Sequence, residues 1–68
     1  MGKIFLTENE ISLLTFIKRG NSRKSAAVER NKSIATVNAE LNIIYKKFNV
    51  HSLQELWHVL EENNINIP

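Results

Sequence analysis

Side chains able to do chemistry are few in this sequence, and the informative ones are amides. There is no cysteine among the 68 residues, so neither a disulfide framework nor a thiolate metal site is available. His51 and His58 stand seven residues apart with no cluster of carboxylates or thiolates to complete a metal shell, and surface or packing roles are expected for both. Ser25, Ser33 and Ser52 lack the base partner of a nucleophile and read as helix-start or surface residues. No glycine-rich phosphate loop occurs. The expectation is a protein without catalytic residues, metal or cofactor. What remains is residues 33–48, SIATVNAELNIIYKKF. Val37, Leu41, Ile44 and Phe48 recur at steps of four, three and four, which stacks them on one side of a helix. The other side carries Ala35, Asn38, Ala39, Asn42 and Lys46, a small, amide-rich surface almost free of acid. Such a face suits a DNA major groove.

The elements that would hold this helix in place are marked in order. Thr7 can cap a first helix and Glu10, three positions on, can answer its backbone N–H, which is a capping box. Ile11, Leu13, Leu14, Phe16 and Ile17 follow, more apolar positions than one stripe needs. Lys18 and Arg19 complement the C-terminal dipole, and Gly20 supplies a left-handed terminus. The first helix therefore spans about 8–19. Ser22 caps a short second helix, about 23–30, whose Ala26 and Ala27 permit close approach of a neighbour. A polar turn leads to Ser33, the cap of the third helix, about 34–48, with Asn49 expected in the left-handed position. Ser52 and Glu55 repeat the capping-box pattern before a fourth helix, about 53–63, with Leu53, Leu56, Trp57 and Leu60 apolar. Residues 4–6 read as a short extended or strand-like lead. Residues 1–5 and 64–68 are expected to be loosely ordered ends of a single domain, 1–68. The fold class is all-α, four helices with short connections, and the second and third form a helix-turn-helix.

Charge is unevenly spread although the net value is only +2. Lys18, Arg19, Arg23, Lys24, Arg30 and Lys32 face Glu29 alone within residues 18–32, whereas Glu55, Glu61 and Glu62 meet no Lys or Arg from 51 onward. That distribution predicts a basic front and an acidic rear. No apolar run is long enough to span a membrane and no signal peptide is apparent, so a cytoplasmic location is expected.

With these residues in register, the chain resembles the four-helix DNA-binding domain of the LuxR family, also called GerE-type or NarL-type. Leu6, Thr7, Glu10, Leu14, Gly20, Ser22, Lys24, Ala27, Ser33, Thr36, Val37, Ile44, Lys47 and Val50 carry the resemblance without a gap. It implies a bacterial transcriptional regulator that binds double-stranded DNA, a weak homodimer through the fourth helix with Leu53 or Trp57 as contact, and an upstream sensor domain or other protein partner. The family's base-reading positions correspond to Asn38, Ala39 and Asn42. Asn can pair bidentately with adenine and Ala can rest on a thymine methyl, so A·T-containing half-sites are expected. Phosphate contacts are assigned to Ser22, Arg23, Lys24, Thr36 and Lys46, with backbone donors at the helix starts. The chain departs from the family pattern where Arg30 and Lys32 replace large aliphatic residues, Ser25 an acid, Ile11 a polar residue, Asn38 a base and Glu40 a histidine. Arg30 and Lys32 are expected to lie along the surface with their heads in water, and Arg30 or Lys47 to neutralise Glu40. Two other readings fit the same elements. One is a helix-turn-helix-like module that binds a protein partner through surplus apolar residues such as Ile11 and Ile43. The other is the promoter-contacting end of a sigma factor, to which the Thr36–Val37 and Lys47–Phe48 spacing is less suited.

Overall fold

A computed structural model describes residues 5–68; the expectations for residues 1–4 lie outside the described residues. The described residues form four helices and no strand: α1 Glu8–Lys18, α2 Arg23–Glu29, α3 Ile34–Phe48 and α4 Leu53–Glu62. The predicted boundaries agree to within one residue at each end.

Each helix starts on a hydroxyl. Thr7, Ser22, Ser33 and Ser52 accept from the backbone N–H of Glu10, Ser25, Thr36 and Glu55 respectively, satisfying one of the donors a helix start leaves open. At α1 the capping box is complete, because the Glu10 carboxylate also accepts from Thr7 N–H at 2.9 Å. At α4 the expected box is displaced by one residue. Glu55 Oε1 accepts from His51 N–H at 2.7 Å, not from the capping Ser52.

Each helix also ends on a residue with positive φ: Gly20, Asn31, Asn49 and Asn64. After α2, Lys32 N–H donates to Ala27 O and Asn31 N–H to Val28 O. After α3 and α4 the same pair of bonds recurs, from Val50 to Tyr45 O and Asn49 to Lys46 O, and from Ile65 to Leu60 O and Asn64 to Glu61 O. These are Schellman closures, in which an αL residue lets the chain turn back onto the last carbonyls. Asn is tolerated there because its short polar side chain suffers least among non-glycine residues. After α1 the Asn21 side chain stands in for the missing backbone donor, with Nδ2 donating to Phe16 O at 2.8 Å.

The core gathers Leu13, Leu14 and Ile17 of α1, Ala26 and Ala27 of α2, Val37, Leu41, Ile44, Tyr45 and Phe48 of α3, and Leu56 and Leu60 of α4. The predicted inner stripe of α3 is wholly buried. Ala26 is fully buried, so α2 rests against α3 with almost no side chain between them. The C-terminal residues lie against the fold. Ile67 is buried in the core, and Lys18 Nζ donates to its carbonyl at 2.6 Å. The Schellman turn at Asn64 directs the chain back over α1, and the apolar Ile65 and Ile67 then have surface to cover. None of these helices is long and apolar enough to cross a membrane.

Candidate nucleic-acid interface

The outer side of α3 presents Ala35, Ala39, Asn42 and Lys46 to solvent, with Asn38 half-buried among them. Ser22, Lys24 and Thr36 are exposed at the adjoining starts of α2 and α3. Among these candidates, Arg23 at the start of α2 is joined by a hydrogen bond to Asn38 of α3. Ser22 and Thr36 also serve the caps: Ser22 Oγ donates to Ser25 Oγ at 3.1 Å, and Thr36 Oγ1 lies 2.9 Å from Ser33 Oγ.

Arg23 behaves differently from its neighbours in this set. Its guanidinium is turned onto α3, with Nη1 donating to Asn38 Oδ1 at 3.1 Å and Nη2 to the Tyr45 hydroxyl at 3.0 Å. Asn38 and Tyr45 are seven residues apart, two helical turns, and so share a side of α3. That spacing was a signal available in the sequence, but Tyr45 carried no role there.

The basic run is likewise largely tied down within the fold. Lys18 is bound to Ile67 O. Arg30 does not extend into water: it donates to Ser12 Oγ at 3.0 Å and to Asn9 O at 3.2 Å, and also to Asn9 Oδ1. Lys32 forms an ion pair with Glu40 at 2.6 Å. Among the described residues Arg19, Lys24 and Lys46 make no ion pair, which leaves them as the cations best placed to meet an anion.

Glu40, the acid on α3, is thereby neutralised by Lys32 and not by Arg30 or Lys47 directly. Asn9 Nδ2 donates to the same oxygen at 3.4 Å. The Lys32 hydrogen bond holds the Glu40 carboxyl below its ordinary pKa; burial opposes this, and the charges of Lys32 and Arg30 and the Asn9 amide reinforce it. Lys47 is instead committed to Glu10 of α1 at 2.6 Å and to Phe5 O at 3.0 Å. Burial pushes Glu10 upward, but the hydrogen bonds from Lys47 and from Thr7, with the Lys47 charge, outweigh it and leave the carboxyl below its usual range. Lys32 and Glu40, both singled out in the sequence as departures from the resembled pattern, are thus paired with each other.

The profile of the bacterial regulatory proteins of the luxR family (GerE) matches residues 5–60. The chain belongs to this family. Its four helices are the LuxR-type helix-turn-helix domain, and the family is one of bacterial regulatory proteins. Over 52 residues, the chain is 42% identical to an uncharacterized HTH-type transcriptional regulator, YuaB, from Escherichia coli (strain K12). That match covers 76% of this chain and 15% of the relative, so the LuxR-type domain described here corresponds to a small part of that protein's length. No solved structure gives a significant match.

On α4, Leu53 and Trp57 are both half-buried and pack against the core. Trp57 lines a groove with Ile17, Leu60, Ile65 and Ile67. His51 and His58 are exposed, His58 lying 3.5 Å from Glu62 one turn on.

Proposed function

We propose that this domain binds double-stranded DNA sequence-specifically as part of a bacterial transcriptional regulator, with α3 in the major groove. One observation carries the reading. Asn38, Ala39, Asn42 and Lys46 form a continuous outer face on α3, while the acid of that helix, Glu40, is drawn to the flank and neutralised by Lys32. An unpaired carboxylate near the groove would repel phosphate; a paired one does so far less. Asn38, Ala39 and Asn42 meet base edges, and Ser22, Lys24, Thr36 and Lys46 meet phosphates, helped by the backbone donors that open α2 and α3. A weak homodimer forms through α4, with the half-buried Leu53 and Trp57 as contact. Such a pair sets two recognition helices about 34–36 Å apart on a two-fold site. The domain acts in the cytoplasm, under the control of a sensor domain or protein partner elsewhere in the regulator.

The test is a fluorescence anisotropy titration on duplex DNA at increasing salt, followed by selection of bound sequences from a random pool. Affinity should fall with salt at about 0.9 log units per log unit for each phosphate neutralised. Selected sites should share a two-fold motif. A second reading, docking on a protein partner, is favoured by the exposed Ile43 on α3 and Val28 on α2, 53% and 77% accessible. Absence of salt-dependent DNA binding would establish that reading over the first.

A further inference from the structure

The geometry points to Arg23 as a specificity-determining residue: by holding Asn38 Oδ1 it converts the Asn38 amide from a donor–acceptor pair into a donor, and so selects guanine in place of adenine at the base step Asn38 meets. The inference rests on the DNA-reading function proposed above. A free asparagine matches adenine because its amide donates to N7 while accepting from the N6 amino group. Here one of the two lone pairs of the acceptor is already engaged, 3.1 Å from Arg23 Nη1. The direction of the amide follows from chemistry alone. A guanidinium only donates, so the amide oxygen must face it; the reverse flip would set two donors against each other. A full positive charge beside Oδ1 repels a second donor such as the adenine amino group, and it polarises the amide so that Nδ2 donates more strongly. Among the described residues Nδ2 makes no hydrogen bond, which leaves a donor for the DNA. The edge that complements donors alone is that of guanine, whose N7 and O6 are both acceptors.

Tyr45 makes this arrangement durable. The second branch of the fork donates to the Tyr45 hydroxyl at 3.0 Å, and the Tyr45 ring is buried in the core. Arg23 is thus pinned at two points on α3 and cannot swing to a phosphate without giving up both bonds. Arg23 and Tyr45 are positioning residues in this scheme, and Asn38 is the reader.

Selection from a random duplex pool tests it with four proteins: the natural domain, Asn38→Ala, Arg23→Met and Tyr45→Phe, each checked for helix content and thermal unfolding. Loss of preference in Asn38→Ala marks the step Asn38 reads. The natural domain should select guanine there, and Arg23→Met should shift the choice toward adenine by about tenfold, the ratio that corresponds to one good base contact. Tyr45→Phe keeps the charge at 23 and the ring in the core, and should shift the choice the same way by a smaller factor; it carries the test if Arg23→Met does not fold. Adenine selected by the natural domain at that step, or equal weakening on every sequence in Arg23→Met with the preference unchanged, would overturn the inference while leaving DNA binding intact. Absence of salt-dependent binding by the natural domain would overturn both.

Discussion

The first turns of α1 are fringed by charge: Glu10 pairs with Lys47 of α3, Asn9 donates to Glu40 of α3, which Lys32 of the preceding turn holds, and Arg30 reaches from the end of α2 to Asn9 and Ser12. On α2, the buried residues are the small Ala26 and Ala27, and among the described residues its side-chain hydrogen bonds to α3 are the fork from Arg23 to Asn38 and Tyr45. The first edge takes in acids and cancels them, so the negative charges nearest the outer face never act on it. The second edge brings the helix start close and leaves its polar contact beside the candidate reading face. One edge is structural and the other is connected to recognition, although both are crossed by basic side chains. A count of cations in the sequence could not make that distinction.

The sharpest way to break the comparison is to disturb the small seam. Ala26 is fully buried, and Ala26→Leu should force α2 away from α3, destabilising the domain by about 3 kcal/mol. Thermal unfolding should show a drop well over 10 °C, since each kcal/mol moves a domain of this size by roughly 4–8 °C. A change of only a degree or two would mean the seam has slack that the packing does not suggest.

The charged edge should respond less strongly, and with a pH signature. Lys47→Met leaves the buried Glu10 carboxylate without its cation, at a cost of about 2 kcal/mol near neutral pH. In the natural protein Glu10 and Glu40 have folded pKa values below the reference value of 4.5. Their stabilisation is therefore complete above that reference and is lost as pH falls through the lowered folded values. In Lys47→Met the burial that raises Glu10 is opposed by Thr7 alone, so protonation becomes less unfavourable and the deficit relative to the natural protein should narrow on acidification. Melting curves from neutral pH down to about pH 3 measure this; a pH-independent deficit would remove Glu10 as its cause.

The Lys32–Glu40 pair should be weaker still, because the Glu40 side chain is more exposed than that of Glu10, 19% against 10%. A double-mutant cycle with Lys32→Met and Glu40→Gln should return a coupling of about 1 kcal/mol. A coupling near zero would mean that the two departures from the family pattern arose independently of each other.

Nearly all of the fold was legible, because its cues are local. Thr7, Ser22, Ser33 and Ser52 mark starts by side-chain chemistry that acts within three residues, and Gly20 and Asn49 mark ends by their tolerance of positive φ. Asn31 and Asn64 carry the same signal, but in polar surroundings where no apolar run ended cleanly, and they read only as breaks. The partners of charges were the illegible part. Lys32–Glu40, Glu10–Lys47 and Arg23–Tyr45 join residues that are neighbours only after the helices pack, and Arg30 had several acids and amides within plausible reach. The burial of Ile67 was illegible for a related reason: it looks isolated in sequence and joins the core after the turn at Asn64.

The smallest effect tests the recognition side of the comparison. Lys24 is exposed at the start of α2 and makes no ion pair among the described residues, whereas Lys32 is held by Glu40. If the division between structural and recognition charges is real, Lys24→Ala should lower the salt slope of DNA binding by about 0.9, and Lys32→Ala should scarcely change the number of phosphates held. Between 50 and 200 mM salt this amounts to roughly a threefold difference in how far affinity falls, small but well within an anisotropy titration. Lys32→Ala would instead weaken binding by freeing the Glu40 carboxylate beside the groove, a like-charge effect that the further change Glu40→Gln should reverse. Equal losses of slope for both lysines would dissolve the distinction, because it would mean that the ion pair opens when DNA arrives and that the edge facing α1 contributes its charge after all.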